Sequence, residues 1–216
     1  MKRPELLVPA GNLEKARVAL AYGADAIYLG GQQFGLRARA GNFTREEIEV
    51  IVGEAHQRGV KVYVTVNIFA HNRHLEALPG YVEELAALEV DGLIVADPAV
   101  FNLAKRHSNL PIHISTQANV TNWEAALFWE ELGASRINLA RELTLDEIAA
   151  IRGRVSLELE AFIHGAMCLA YSGRCLLSAQ MTGRSANLGD CAQSCRWSYA
   201  LMEAKRPGEY YPLIQE

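Results

Sequence analysis

At 216 residues the chain can build one large domain, and half of it is hydrophobic against about a fifth charged, the balance of an ordinary globular protein. No apolar run is long enough to cross a bilayer, and "MKRPELLVPAG" has a basic start without a signal peptide's apolar stretch, so the expected compartment is the cytoplasm, with no membrane partner. A formal net charge of −4 excludes a surface coated in nucleic-acid-binding charge but leaves room for a local basic patch.

In chain order, short apolar runs alternate with helical patterns. "ELLVPAG" predicts a first strand, and "NLEKARVALAYG" a helix that Asn12 is placed to cap and Gly23 to end. After "AIYLGG", Arg37 and Arg39 follow in "GLRARAG", a pair suited to a carboxylate or phosphate. Thr44, followed by Glu46 and Glu47, predicts the start of a helix running to Gly59. "KVYVTVN" is a third strand and "LEALPGYVEELAALE" a helix; "GLIVAD" and "IHISTQ" are further strands. "NWEAALFWEELG" ends at Gly133, "RINLA" follows, Thr144 with Glu147 has capping-box spacing, and "LELEAFIHG" is a seventh strand. No Gly-x-Gly-x-x-Gly follows the first strand, which weakens a dinucleotide-binding reading.

This alternation predicts an α/β fold, a TIM-type (β/α) barrel left incomplete with about seven parallel strands, because a complete one takes roughly 250 residues. The tail "KRPGEYYPLIQE" shows no eighth strand. A gap between the first and seventh strands is therefore expected, with exposed edges through which copies could form a homo-oligomer.

Strand alternation sorts the side chains further. Val62, Val64 and Val66 oppose Tyr63, Thr65 and Asn67; Ile112 and Ile114 oppose His113, Ser115 and Gln117; Leu157 and Leu159 oppose Glu158, Glu160, Phe162 and His164. Apolar faces should meet the helices and polar faces the barrel interior. Asn67, Gln117 and His164 are expected to converge at the mouth, because sites in parallel α/β folds form at the C-terminal strand ends. Asp97, Asn119, Arg141 and Glu142 lie at such ends too.

The four cysteines stand apart from all this. Residues 1–167 contain none, and then Cys168, Cys175, Cys191 and Cys195 follow at Cys-x6-Cys-x15-Cys-x3-Cys. A cytoplasmic chain disfavours disulfides. Structural zinc prefers tighter pairs, whereas iron–sulfur clusters tolerate irregular spacing, so spacing alone ranks an iron–sulfur cluster first, zinc second and inert thiols third.

The same segment reads Glu160, Phe162, Gly165, Ala166, Met167, Cys168, Gly173, Cys175, Leu177, Ser178. It resembles, at every position, the signature Glu-x-Phe-x2-Gly-small-aliphatic-Cys-x4-Gly-x-Cys-x-aliphatic-Ser of the collagenase-like U-32 peptidases. The resemblance extends along the chain through "VNIFAHN", "DGLIVADPAV" and "NLARELTLDEI", and is greatest to the branch of prephenate-dependent tRNA uridine hydroxylases. It implies an enzyme forming 5-hydroxyuridine at the tRNA wobble position, with tRNA and prephenate as partners. It also implies a 4Fe–4S cluster held by the four cysteines. A peptidase is the alternative, as is a binding module with structural thiols, but no Ser-His-Asp or His-Glu-x-x-His arrangement is evident; a His164–Cys168 pair would not need three further cysteines.

The expected organisation is a barrel portion over residues 1–165, a cluster-binding segment over 166–200 packed on the mouth, and a tail over 201–216. Glu160 and His164, with Asn67 and Gln117, are the expected catalytic groups; Arg37, Arg39, Arg141 and Asn119 are expected to hold substrate. Arg174, Arg184 and Arg196 would grip RNA, with Trp197 stacking on a base. Gly183 and Gly189 should turn the loop that brings Cys191 and Cys195 back, so that all four sulfurs meet within one cluster's width, near His164.

Overall fold

The computed structural model describes residues 3–35, 42–165, 167–171 and 174–213. Seven parallel strands form one sheet in sequence order: β1 (Leu7–Pro9), β2 (Ala26–Gly30), β3 (Lys61–Val66), β4 (Gly92–Val95), β5 (Ile112–Ile114), β6 (Arg136–Asn138) and β7 (Glu158–Glu160). Between them run α1 (Leu13–Ala21), α2 (Arg45–His56), α3 (Asn72–Leu75), α4 (Leu78–Ala87), α5 (Pro98–His107), α6 (Trp123–Glu131) and α7 (Leu145–Arg152).

The sheet curls. Laid flat, β1 and β6 would be about 24 Å apart at about 4.8 Å per strand. Yet Arg136, at the start of β6, donates through Nη1 to Glu5, just before β1, at 2.7 Å. The fold is thus an open (β/α) barrel, and among the described residues β1 pairs only with β2 and β7 only with β6.

Two apolar layers follow from strand alternation. Val62, Val64 and Val66 are fully buried against the helices, in a cluster with Ile51, Val82 and Leu85. Tyr63 faces the other way and packs inside the barrel with Ala26 and Ile94. Below the interior, Arg136 lies over the Tyr63 ring at 5.2 Å and His113 meets it edge-on at 4.5 Å.

Helix ends obey the expected chemistry. Thr44–Glu47 and Thr144–Glu147 are both complete capping boxes, and Asn12 Oδ1 accepts from the Lys15 amide at 2.9 Å. Gly23, Gly59 and Gly133 are left-handed at φ 86°, 70° and 95°.

Two expectations need correction. "LEALPGYVEELAALE" is not one helix: the chain breaks between α3 and α4, and Pro79 sits in the first turn of α4, where its missing N–H costs nothing. The region over 201–216 is not a plain tail either. Tyr199–Met202 (β8) and Tyr210–Leu213 (β9) pair antiparallel outside the barrel sheet, and the expected boundary at residue 200 falls inside β8. Among the described residues no helix is long and apolar enough to cross a membrane.

Candidate functional site

A cavity of about 510 Å³ opens at the C-terminal ends of the strands. Gly11, Gly30, Thr65, Asn67, Ser115, Gln117, Asn138 and Glu160 come from the barrel side. Leu169, Ala170, Leu177, Ala186 and all four cysteines come from the segment beyond β7. The cavity therefore lies between the barrel mouth and the cysteine-rich segment.

Its floor is a set of tied amides. Asn67 Nδ2 donates to Gln117 Oε1 at 2.9 Å, and Ser115 Oγ donates to the same oxygen at 2.7 Å. Asn138 Nδ2 donates to Glu160 Oε1 at 2.7 Å, while Asn138 Oδ1 is buried with no hydrogen-bond partner. Burial pushes the Glu160 carboxyl above the ordinary carboxylate range, and the Arg136 guanidinium, 3.6 Å away, pulls it back. On the wall, the Arg141 guanidinium lies over the Phe162 ring at 4.5 Å. This pairing presents a cation and an aromatic face together, a combination suited to a planar ring or an acidic group.

The cysteine segment has its own scaffold. The helix α8 (Leu177–Thr182) follows Cys175. Ser178, nearly fully buried, donates to the Arg184 carbonyl at 2.7 Å and accepts from the Ala192 amide at 2.9 Å, so one hydroxyl pins the loop that leads into Cys191. Arg184 Nε pairs with Asp190 at 2.9 Å and its Nη2 donates to the Cys191 carbonyl at 3.3 Å. Arg184 therefore fastens the loop that carries Cys191. Asn187 accepts from the Cys175 amide at 3.1 Å through Oδ1, and from the Phe69 amide at 3.4 Å through its carbonyl, joining segment to barrel. Gly183 and Gly189 make the expected left-handed turns at φ 71° and 85°.

All four cysteines are free thiols on this one cavity, Cys168 and Cys191 exposed and Cys175 and Cys195 half-buried. The donor set thus fits a thiolate-bound cluster in kind. Among the described residues no three His, Cys, Asp or Glu side chains stand close enough to hold a single metal ion, while all four thiols face the same cavity. A thiol is a weak donor and a weak acceptor, so four of them gain little from mutual contact, and coordination would have to draw them together.

Other expected residues divide. Asn67, Gln117, Glu160 and Arg141 meet at the cavity, but His164 is exposed and off its wall, because β7 ends at Glu160 and the alternation does not carry four residues further. Asn119 is also off the wall, in a left-handed turn at φ 53°, with its Oδ1 buried and unpartnered. Asp97 caps α5, accepting from Ala99 at 2.7 Å. Arg37 and Arg39 lie outside the described residues. Arg174 stacks on Phe69 at 5.2 Å, and Arg196 and Trp197 are exposed, so Trp197 is not a core anchor. Ser115, Asn138 and Ser178 were not among the expected site residues; the alternation in "RINLA" could have found Asn138.

Fold and cavity define an open α/β barrel with a strand-end site roofed by a cysteine-rich segment. The chain belongs to peptidase family U32, whose profile matches residues 11–214. It is 52% identical over 203 residues to the tRNA hydroxylation protein P1 of Bacillus subtilis (strain 168), covering 94% of this chain and 48% of that protein. It is 43% identical over 204 residues to the 23S rRNA 5-hydroxycytidine C2501 synthase of Escherichia coli (strain K12), covering 93% of this chain and 30% of that one. A solved U32 peptidase structure matches with a TM-score of 0.62 and 27% identity, over 74% of this chain and 70% of that one. The chain spans about half the length, or less, of the curated relatives it matches.

Proposed function

We propose that this chain carries the catalytic barrel of an RNA hydroxylase that converts uridine to 5-hydroxyuridine at the tRNA wobble position, with prephenate as co-substrate. The observation that carries the reading is a strand-end cavity lined by both the tied amides of the barrel and all four thiols. The names of the two curated relatives support an RNA substrate. Cys168, Cys175, Cys191 and Cys195 would hold a 4Fe–4S cluster, with zinc as the alternative metal. When bound, such a cluster supplies redox chemistry that side chains do not.

The chain's own residues would do the rest. Arg141 offers a planar fork to a carboxylate or phosphate, and Phe162 beneath it a face for a flat ring. Asn67, Gln117 and Asn138 would orient polar ring edges, and Glu160 would hold or deliver a proton at its carboxyl oxygens. Arg174, Arg196 and Trp197 are exposed on the segment, where an RNA strand could reach them.

Anaerobic purification followed by iron and sulfide analysis tests the cofactor, and mass spectrometry of tRNA incubated with prephenate tests the activity. Near-stoichiometric iron and sulfide, lost in Cys175→Ser together with 5-hydroxyuridine formation, is expected. Zinc without sulfide, or peptide hydrolysis that survives Cys175→Ser, would overturn the reading.

A further inference from the structure

Glu160 stands on the cavity floor, and one guanidinium reaches it from below. Arg136 starts β6 with only 6% of its side chain exposed. Its Nη1 donates to Glu5 at 2.7 Å, and its Nε and Nη2 donate to Glu158 at 2.9 and 2.5 Å. Glu160 Oε2 is farther off, at 3.6 Å. Three carboxylates thus share one buried cation, and Glu160 has the weakest hold on it. Glu160 is also the most buried of the three, with 19% of its side chain exposed against 26% for Glu5 and 66% for Glu158. Among the described residues its other oxygen accepts a hydrogen bond from the neutral Asn138 amide alone.

The remaining charged and titratable groups of the network favour Glu5 instead. Tyr63 Oη donates to Glu5 at 3.2 Å, and Lys61 Nζ is 3.7 Å from it. His113 packs its ring on Tyr63, and burial keeps it neutral. Above the floor, Arg141 and the four thiols share the cavity with Glu160.

We propose that Arg136 and Glu5 are positioning residues for Glu160: Glu5 and Glu158 occupy the guanidinium donors, so Glu160 is the carboxyl of the trio that takes up a proton and presents it to the cavity. Burial raises the cost of charge on Glu160, and its competitors deny it the full compensation of an ion pair. Loss of that proton leaves a carboxylate that Arg136 and the Asn138 amide then stabilise. The inference rests on the reading of Glu160 as the proton-transfer group of this site.

Infrared titration of the purified chain reads the protonated carboxyl directly, needs neither RNA nor a cluster, and takes Glu160→Gln as the blank that identifies the band. The midpoint is expected above that of an ordinary glutamate. Glu5→Gln frees Arg136 for Glu160 and is expected to move the midpoint down; Arg136→Gln is expected to move it up. Because Arg136→Gln strips a buried cation from three carboxylates and can unfold the barrel, Glu5→Gln decides, with folding checked by circular dichroism. A midpoint in folded Glu5→Gln that stays put or rises, or no band lost in Glu160→Gln, overturns the proposal. A shift without RNA hydroxylation would sink the hydroxylase reading and leave this one standing; hydroxylation without the shift would do the reverse.

Discussion

The barrel and the cysteine segment are held together by different means. Among the described residues, every buried hydrophobic side chain except Ala186 lies at or before Leu157. Beyond β7 most of the large apolar side chains are exposed instead, with Ile163 90% exposed and Leu169 and Leu176 each 75%. The segment relies on polar pins: the Ser178 hydroxyl, the Arg184–Asp190 pair, Asn187 beneath Cys175, and Tyr199 Oη donating to the Ser194 carbonyl at 2.8 Å. Apolar burial gives the barrel its stability, roughly in proportion to area removed from water. A few hydrogen bonds, each worth about 1 kcal/mol net, give the segment a shape but little reserve. The difference teaches that the barrel draws its stability from apolar burial, while the segment holds its shape by a few polar contacts.

The largest test of this contrast is a pair of truncations. Leu93 in β4 is fully buried, so Leu93→Ala should cost about 2–5 kcal/mol in urea unfolding. Leu176→Ala, at the exposed start of α8, should change stability by no more than about 0.5 kcal/mol. Comparable losses at both positions would mean that the segment shares the barrel's core.

A second test is the response to acid. His113 is buried with Nδ1 unpartnered, and burial, helped by Arg136, pushes its pKa from 6.5 down to about 3. The unfolded chain takes up this proton near pH 6.5, while the folded chain resists it until about pH 3. The unfolded state therefore binds more protons within that window, and stability should fall as pH is lowered through it. Glu160, whose pKa burial raises, acts in the opposite sense and softens the slope. Urea midpoints measured across the window should decline, and His113→Phe, which keeps a ring against Tyr63 but cannot titrate, should flatten the decline. An unchanged slope in that variant would place the acid response elsewhere.

The same division governs what could be read beforehand. The barrel was legible because its signals are local: alternation at period two in "KVYVTV", glycine stops at Gly23, Gly59 and Gly133, and capping boxes at Thr44 and Thr144. Asn67 was legible because alternation and strand-end placement agree on it, and Gln117 from strand-end placement alone, since it sits in the 3-10 turn Thr116–Ala118 beyond β5. Arg136 was not, although alternation aims it inward, because its meaning lies in Glu5, 131 residues away in the chain. In the segment the cysteines announce themselves by composition, but their arrangement depends on contacts such as Ser178 to Ala192, which no local period encodes. The β8–β9 hairpin was hidden for a similar reason: its turn is charged and its strands leave most described side chains exposed.

The smallest effect is expected at the seam between the two regions. Arg174 belongs to the segment and is exposed, yet its guanidinium lies over the ring of Phe69, in the loop after β3. An exposed stack of this kind contributes about 0.5–1 kcal/mol. Two backbone contacts lie beside it, the Cys175 amide on Asn187 Oδ1 and the Phe69 amide on the Asn187 carbonyl. If the segment is a lightly fastened roof, Arg174→Ala should leave the barrel's unfolding midpoint unchanged and speed hydrogen exchange at Cys175 and Phe69. Arg174→Lys, which keeps a cation but loses the planar face, should fall between. Loss of global stability beyond about 1 kcal/mol in Arg174→Ala would exceed what the stack can supply. The roof would then be part of the barrel's cooperative unit, and the contrast between the two regions would hold for their packing but not for their folding.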